Sequence, residues 1–564
     1  MKKKAFDFFH PKHRPEFRKV IIDVLKVQVE FTPLHMVTSS YFEYFLMNYF
    51  SDTLAGDVPN STFFSQYQAK TMASLFANIL KKDEKVIQEI RSLEKKELDN
   101  LLNLVDNVYD YWRKAERYLI HTYTGESYSH RLFIKKFSSF ATCVVETYRD
   151  IYETIIGKEQ DVYRLLPSGG NAGILLKKEK LPLPKALHYL CDIPIMESLV
   201  TQPPFIMTTR QNTRKGFFYE NEVKVGKEDF DVENAYGVLI EVFDQKGLVY
   251  FDKDYMGFLV ALGNLFQLTS YDPQKHEKID FVVLFGTQKG DSCYYYKEEN
   301  LYVGVCPKRA HIDYFGYAKK IVLTLFNLNM IERKCLPIHG AGIQMRKGDK
   351  IKNFVLLGDS GAGKSESLEA IKNLYSKKYQ IDTIFDDMGS FHIQNGEVYA
   401  TGTEIGAFVR LDDLEQAYSL RSVDRAVYLN IDTTNSRVVV PIEDFEMTYH
   451  FHHVDAFLLA DNFTDSKEGI HFYDDPIQAM EDFKKGERMA MGTSSEMGLV
   501  STYFANPFGP MQKKEEVEAF LPDYFKALFD HKVPVGRLYT RLSLDRKEGP
   551  KVGAKNLVDL FEKL

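Results

Sequence analysis

The chain has 564 residues, 44% of them hydrophobic and 27% charged, which is enough for several cores and is not the balance of a disordered chain. Its 72 basic and 79 acidic residues leave a formal charge of −7, so no broad basic field invites nucleic acid as a partner. Five scattered cysteines, Cys143, Cys191, Cys293, Cys306 and Cys335, form no CxxC pair, which excludes a zinc ribbon and a disulfide framework as expectations.

The basic start, MKKKAFDFFHPKHRPEF, is not followed by the apolar run of a secretory signal. The longest apolar stretch, Phe258–Phe266, is broken by Gly263 and Asn264, too short a run to span a membrane. A cytoplasmic protein without a membrane partner is expected. Residues 1–165 are expected to form an all-α extension. Between Lys81 and Ile120 the apolar residues Val86, Ile87, Ile90, Leu93, Leu101, Leu104, Val105 and Val108 recur near the helical period, with Lys and Glu on the solvated face between.

Next, Pro167-Ser-Gly-Gly-Asn-Ala-Gly173 and Leu181-Pro-Leu-Pro184 are dense in helix and strand breakers, and predict a linker over 166–185. From 186 the pattern becomes α/β. Short β-type runs (Tyr236–Phe243, Asp280–Gly286, Tyr302–Cys306) alternate with helical stretches such as Ala318–Leu328.

The sharpest motif is Gly358-Asp359-Ser360-Gly361-Ala362-Gly363-Lys364-Ser365, which fits G-x-x-x-x-G-K-[ST]. Asn353–Leu357 before it has the pattern of a buried strand, and Glu366–Tyr375 after it that of a helix. Strand, glycine loop and helix N-terminus together suit phosphate: backbone N–H groups approach the oxygens and the helix dipole favours negative charge. Lys364 would reach the β/γ-phosphates and Ser365 would ligate Mg²⁺. A following strand, Gln380–Phe385, ends in Asp386-Asp387, carboxylates suited to holding a cation beside the loop. His450, His452 and His453 suggest a metal site only weakly, since no Cys or HExxH pattern accompanies them.

The glycine loop together with Pro337-Ile-His339-Gly340 resembles the branch of P-loop proteins that holds HPr kinase and phosphoenolpyruvate carboxykinase (PEPCK). Further matches are to PEPCK. Thr208-Thr-Arg210-Gln-Asn-Thr-Arg-Lys215 resembles its TGRSPKDK segment, and Tyr314-Phe-Gly-Tyr-Ala-Lys-Lys320 its YGGEMKK segment. Lys320 and His339 stand 19 residues apart, as does the family's metal-binding Lys–His pair. Asn435-Ser-Arg437-Val-Val-Val-Pro441-Ile442 resembles NTR-x-x-YPI. Leu459-Ala-Asp461, Gln478-Ala-Met480, Gly492-Thr493 and Asn506-Pro-Phe508-Gly-Pro510 follow the order of TADAF, QAM, AGTE and GAPFLP. Collinear matches thus cover about 205–510. HPr kinases resemble only about 335–405.

The resemblance implies a two-lobed P-loop fold, with a substrate lobe over 186–330 and a nucleotide lobe over 331–564. It implies conversion of oxaloacetate and ATP into phosphoenolpyruvate, ADP and CO₂. Mn²⁺ would be held by Lys320, His339 and Asp387, and Mg²⁺ by Ser365 beside Asp386. Arg210 would clamp a substrate carboxylate, Tyr314 orient substrate or CO₂, and Lys364 with Arg437 stabilise the transferring phosphoryl group. The segment Asp461–Pro476 would be a lid.

The sequence also departs from the family. Asp386-Asp387-Met-Gly-Ser stands in place of DDEHGW, Gly492-Thr-Ser-Ser-Glu496 in place of GTE, and the segment that holds adenine is absent. The loop lacks the cysteine of the GTP-using group, which favours ATP over GTP. Two other readings stand beside this one: an HPr-kinase-like enzyme acting on a protein or small-molecule hydroxyl, and a non-catalytic nucleotide-binding scaffold.

Overall fold

The computed structural model describes residues 6–9, 19–24, 31–54, 67–163, 166–275, 277–411, 425–431, 433–441, 446–491 and 497–564. The chain is mixed α/β, with several sheets of mixed strand direction. It divides into two compact units: residues 1–180, 191–209 and 424–431 form one, and residues 181–190, 210–423 and 432–564 the other.

The first unit holds the helices Pro33–Thr38, Ser40–Leu54, Tyr67–Leu80, Glu84–Arg91, Lys95–Lys114 and His130–Ile156. Their ends follow local chemistry. Asp83 and Ser129 accept backbone N–H bonds as N-caps, a Glu94/Glu97 capping box opens the fifth helix, and left-handed Gly157 closes the sixth.

The unit is not all-α. Phe6–Phe9, Lys19–Asp23, Glu116–Tyr123, Ala172–Lys177 and Ile195–Thr201 pair in that order into a sheet, with the second, third and fourth strands parallel. The helical periodicity stops at Lys114, and Tyr118, Leu119 and Ile120 are buried as a strand. Such apolar runs belong to sheets covered on both faces.

The expected linker contains the buried strand Ala172–Lys177. Its glycines serve close packing: a Cβ on Gly169 would lie 2.7 Å from Ala141 Cα, and one on Gly173 2.7 Å from the Phe137 ring. Beside them Arg117, 1% exposed, donates to the carbonyls of Trp112, Arg113, Ala115, Pro167 and Gly169.

The second unit contains two sheets that matter for the candidate site. One runs Ala235–Val242, Gln245–Asp252, Phe281–Thr287, Leu301–Pro307, Tyr294–Glu298, Tyr219–Glu220. The helix Phe315–Glu332 is buried nearly all round and packs on this sheet where Gly304 has no side chain: a Cβ there would stand 2.7 Å from Ile321.

The other sheet has eight strands in the order His452–His453, Glu397–Gly402, Gln380–Gln394, Leu336–Lys347, Lys350–Leu357, Ala456–Asp461, Val535–Tyr539, Ile470–Phe472. Phe354 and Leu356 face the helices Lys364–Tyr375 and Gly549–Lys563, while Val355 and Leu357 face Pro476–Lys485 and Lys514–Asp530. Two covered faces explain the unbroken apolar run before the glycine loop. Among the described residues no helix is long and apolar enough to cross a membrane.

Candidate functional site

The glycine loop leaves the strand Lys350–Leu357 and enters the helix Lys364–Tyr375 through Gly363, at φ 89°. Gly361 is also left-handed, at φ 81°. Any other residue at 363 would be strained, and its Cβ would stand 2.4 Å from Thr540 Oγ1. The loop is held from behind by its carbonyls: Asn462 Nδ2 donates to Gly361 O at 2.8 Å and Thr540 Oγ1 to Ala362 O at 2.8 Å. Among the described residues the backbone amides of Gly361, Gly363, Lys364 and Ser365 carry no hydrogen bond, the last three of them at the helix N-terminus. Lys364 is 5% exposed and donates to Asp359 O at 3.3 Å.

Ser365 Oγ donates to Asp386 Oδ1 at 2.8 Å. The strand does not end at the aspartates as expected but runs through them to Gln394. Asp387 sits within it at φ 95°, a strained backbone for a non-glycine residue. Strand neighbours place it beside His339, since Gly340 is paired with Asp387 and His339 with Met388.

Asp387, its side chain 29% exposed, is the hub of an ionic cluster. Its Oδ2 lies 2.6 Å from Lys319 Nζ and 2.7 Å from Lys320 Nζ, and its Oδ1 lies 3.1 Å from His339 Nε2. Glu404, 3% exposed, reaches Lys319 Nζ at 2.7 Å. Burial alone would raise the Asp387 carboxyl, but the two ammonium groups and His339 hold it well below the ordinary range. Burial lowers Lys320, and its neighbour Lys319 lowers it further. Lys319 is raised, because Asp387 and Glu404 together outweigh its burial. Burial pushes Glu404 up to about 7. Burial also keeps His339 below the usual imidazole value.

His339 tests whether a cation fits. Its Nδ1 faces Ala505 O at 2.8 Å and Asp359 Oδ1 at 3.4 Å, while its Nε2 faces Asp387 Oδ1. A neutral imidazole has one N–H, so whichever nitrogen carries it, the other faces only acceptors. A divalent cation on the Nε2 side removes that conflict and leaves Nδ1–H for Ala505. The set Lys320, His339 and Asp387 therefore fits a metal once the Lys320 ammonium, its pKa lowered by burial, gives up its proton, as Ser365 and Asp386 fit a second, harder one. Among the described residues no three His, Cys, Asp or Glu side chains gather into a metal site.

Tyr314 and Arg437 meet at the Phe408 ring, which Lys319 Nζ also approaches at 5.9 Å. The Tyr314 hydroxyl faces the Arg437 guanidinium, and the Phe408 ring lies 5.9 Å from the Tyr314 ring and 6.0 Å from Arg437 Cζ. Arg437 Nε is buried without a hydrogen-bond partner among the described residues.

Arg210 lies beside Asp313: its side chain is 38% exposed and its Nε is 3.9 Å from Asp313 Oδ2. Arg214, half-buried, donates to Gly216 O and lies against two aromatic rings. Its guanidinium lies 5.0 Å from the Phe508 ring and 5.5 Å from that of Phe218, and burial lowers its pKa. Among the described residues no carboxylate is within ion-pair distance of it. Phe508 also carries Lys320 Nζ at 4.5 Å and the His339 ring at 5.8 Å.

Asp359 is fixed by Arg488, whose Nη2 is 3.1 Å away and which is 4% exposed. Burial would raise the Asp359 carboxyl, but His339 and Arg488 hold it below the ordinary range. Within the segment expected as a lid, Asp461 is buried, Ile470–Phe472 is a sheet edge on Val535–Tyr539, and Asp475 caps the next helix. His452 is satisfied by Met447 O at 2.7 Å, and His453 lies 3.6 Å from Asp455. Ile442, Gly492, Thr493 and Glu496 lie outside the described residues.

Lys319 was legible as the neighbour of Lys320. Arg214 lay within the quoted TGRSPKDK-like segment, four residues from the position assigned. Glu404 and Arg488 carry no spacing signal. Compared with known protein families and with curated proteins, the chain matches none.

Proposed function

We propose that the chain is a PEPCK-like carboxykinase of two-lobed P-loop fold, which decarboxylates oxaloacetate and phosphorylates the resulting enolate with ATP. The observation that carries this reading is the continuity of the cluster. Lys364, Asp359, His339, Asp387 and Lys320 form one chain of contacts within the second unit. A simple hydroxyl kinase has no need of Lys320 there.

The scissile C–C bond of oxaloacetate breaks, CO₂ leaves, and its electron pair becomes the enolate. The enolate oxygen then attacks the γ-phosphorus and ADP departs. When bound, a divalent cation on Lys320, His339 and Asp387 would supply Lewis-acid stabilisation of enolate charge, and Mg²⁺ on Ser365 and Asp386 would neutralise the phosphates. Arg214, which donates to Gly216 O and has no carboxylate partner among the described residues, offers a cation for the remaining substrate carboxylate, a role the resemblance gave to Arg210. Tyr314 and Arg437 form the opposite wall, with Arg437 Nε available to an anion. Lys364 balances charge on the transferring group, and the Phe508 ring shields Lys320 from water.

A kinase acting on a protein or small-molecule hydroxyl is the second reading, favoured by the position of Arg210. One assay separates the two. Protein, Mn²⁺, Mg²⁺, ATP and oxaloacetate are expected to give phosphoenolpyruvate and CO₂ in equal amounts. No phosphoenolpyruvate with ATP, GTP or pyrophosphate would reject the carboxykinase.

A further inference from the structure

We propose that Glu404 is a positioning residue for the Asp387 centre: by holding Lys319 to one side, it leaves Lys320 as the lysine that serves the cation. The inference rests on the carboxykinase reading for the ligand set Lys320, His339 and Asp387.

Lys319 and Lys320 are consecutive on one helix, so their side chains leave about 100° apart. Both nevertheless end on the same oxygen, Asp387 Oδ2. What sorts them is what lies behind each. Lys319 Nζ sits 5.9 Å from the Phe408 ring and 2.7 Å from Glu404. Lys320 Nζ sits 4.5 Å from Phe508, the ring that also borders His339. Thus Lys320 is on the His339 side and Lys319 on the Glu404 side.

Glu404 is 3% exposed, and neither of its oxygens has a hydrogen-bond partner among the described residues. The Lys319 ammonium is its compensation, and a buried carboxylate without one is costly. The turn that presents it is pinned beside Asp387 by Thr403 Oγ1, which donates to Met388 O at 3.0 Å. If Asp387 turns its oxygens towards a cation, Lys319 keeps a partner in Glu404 and does not follow. Without Glu404, Lys319 would hold Asp387 in competition with the cation.

The test is Mn²⁺ binding to the full-length chain without nucleotide, read from the electron paramagnetic resonance of free Mn²⁺. Wild type, Glu404→Gln, Lys319→Met and the double variant are compared. Glu404→Gln is expected to weaken binding about 10- to 100-fold, the usual scale for groups that orient metal ligands. In the Lys319→Met background Glu404→Gln should add nothing, because Glu404 acts through Lys319. Glu404→Asp, which keeps the charge with a shorter reach, should lose less and serves if the Gln variant does not fold. Wild-type affinity in Glu404→Gln or in a folded Glu404→Asp, or independent losses in the double variant, would overturn the proposal alone. Absence of Mn²⁺ binding to wild type would overturn it together with the ligand set.

Discussion

The hydroxyl of Ser365 donates to Asp386 Oδ1 at 2.8 Å, which ties the helix that follows the glycine loop to the strand that carries Asp387. Both groups are oxygen ligands suited to Mg²⁺. Ser365→Ala removes an exposed hydroxyl and should leave the fold intact. Calorimetry with ATP is expected to show binding about tenfold weaker or more in the presence of Mg²⁺, and little change in its absence. Equal losses in both conditions would place Ser365 on the phosphate rather than the metal.

Arg214 and Arg210 make opposite predictions from the resemblance. Arg214→Met should raise the KM for oxaloacetate about 30- to 160-fold, as expected for loss of a charge-assisted bond of about 2–3 kcal/mol. Arg210→Met, at an exposed ion pair, should change it by less than about fivefold. Steady-state kinetics on both variants decide which arginine meets the carboxylate.

His392 predicts the acid limb of stability. It is buried, accepting or donating at Thr401 Oγ1 (3.0 Å) and Cys335 Sγ (3.4 Å). Burial, helped by the charge of Arg333, pushes its pKa down to about 4 from 6.5. Because the folded value is depressed, its stability contribution is complete above pH 6.5 and is lost as pH falls towards 4. The full loss is roughly 3 kcal/mol, at 1.36 per pH unit. In urea titrations between pH 7 and pH 4, His392→Asn should flatten the decline by up to that amount.

Arg117 is expected to dominate the stability of the first unit. Its guanidinium serves five carbonyls, three of them in or just after the last turn of the helix Lys95–Lys114. Burial lowers its pKa to about 9. Arg117→Met should cost about 3 kcal/mol or more by orphaning those acceptors. The chain has a single tryptophan, Trp112, so its emission during denaturation reports on this unit directly.

Legibility differed by element. Among the second unit's elements that the sequence suggested, most came within a few residues of expectation, because their apolar runs are uninterrupted and the glycine loop is punctuated by sequence; the strand from Gln380 ran nine residues beyond its expected end, to Gln394. Glu116–Tyr123 was hidden because it continues a helical period without a breaker. Gly169 and Gly173 looked like flexibility, yet they admit the Ala141 backbone and the Phe137 ring. Within the candidate site, Lys320, His339 and Asp387 were legible from order and spacing. Glu404, Arg488 and Arg214 depend on which way a turn folds, and pairwise spacing carries no such information.

The strand Ile195–Thr201 belongs to the first unit and pairs antiparallel with Ala172–Lys177, and Phe205–Met207 pairs with Val427–Leu429 of the same unit. The N-terminal third is therefore sewn in by segments encoded much later. A shortened gene beginning at residue 186 would deliver a strand whose hydrogen-bonding edge has lost its neighbour, the kind of edge that recruits other chains. Such a product should accumulate as aggregate when expressed. The residues before 186 thus cover an edge that the remaining chain, inherited alone, would have to cover in another way.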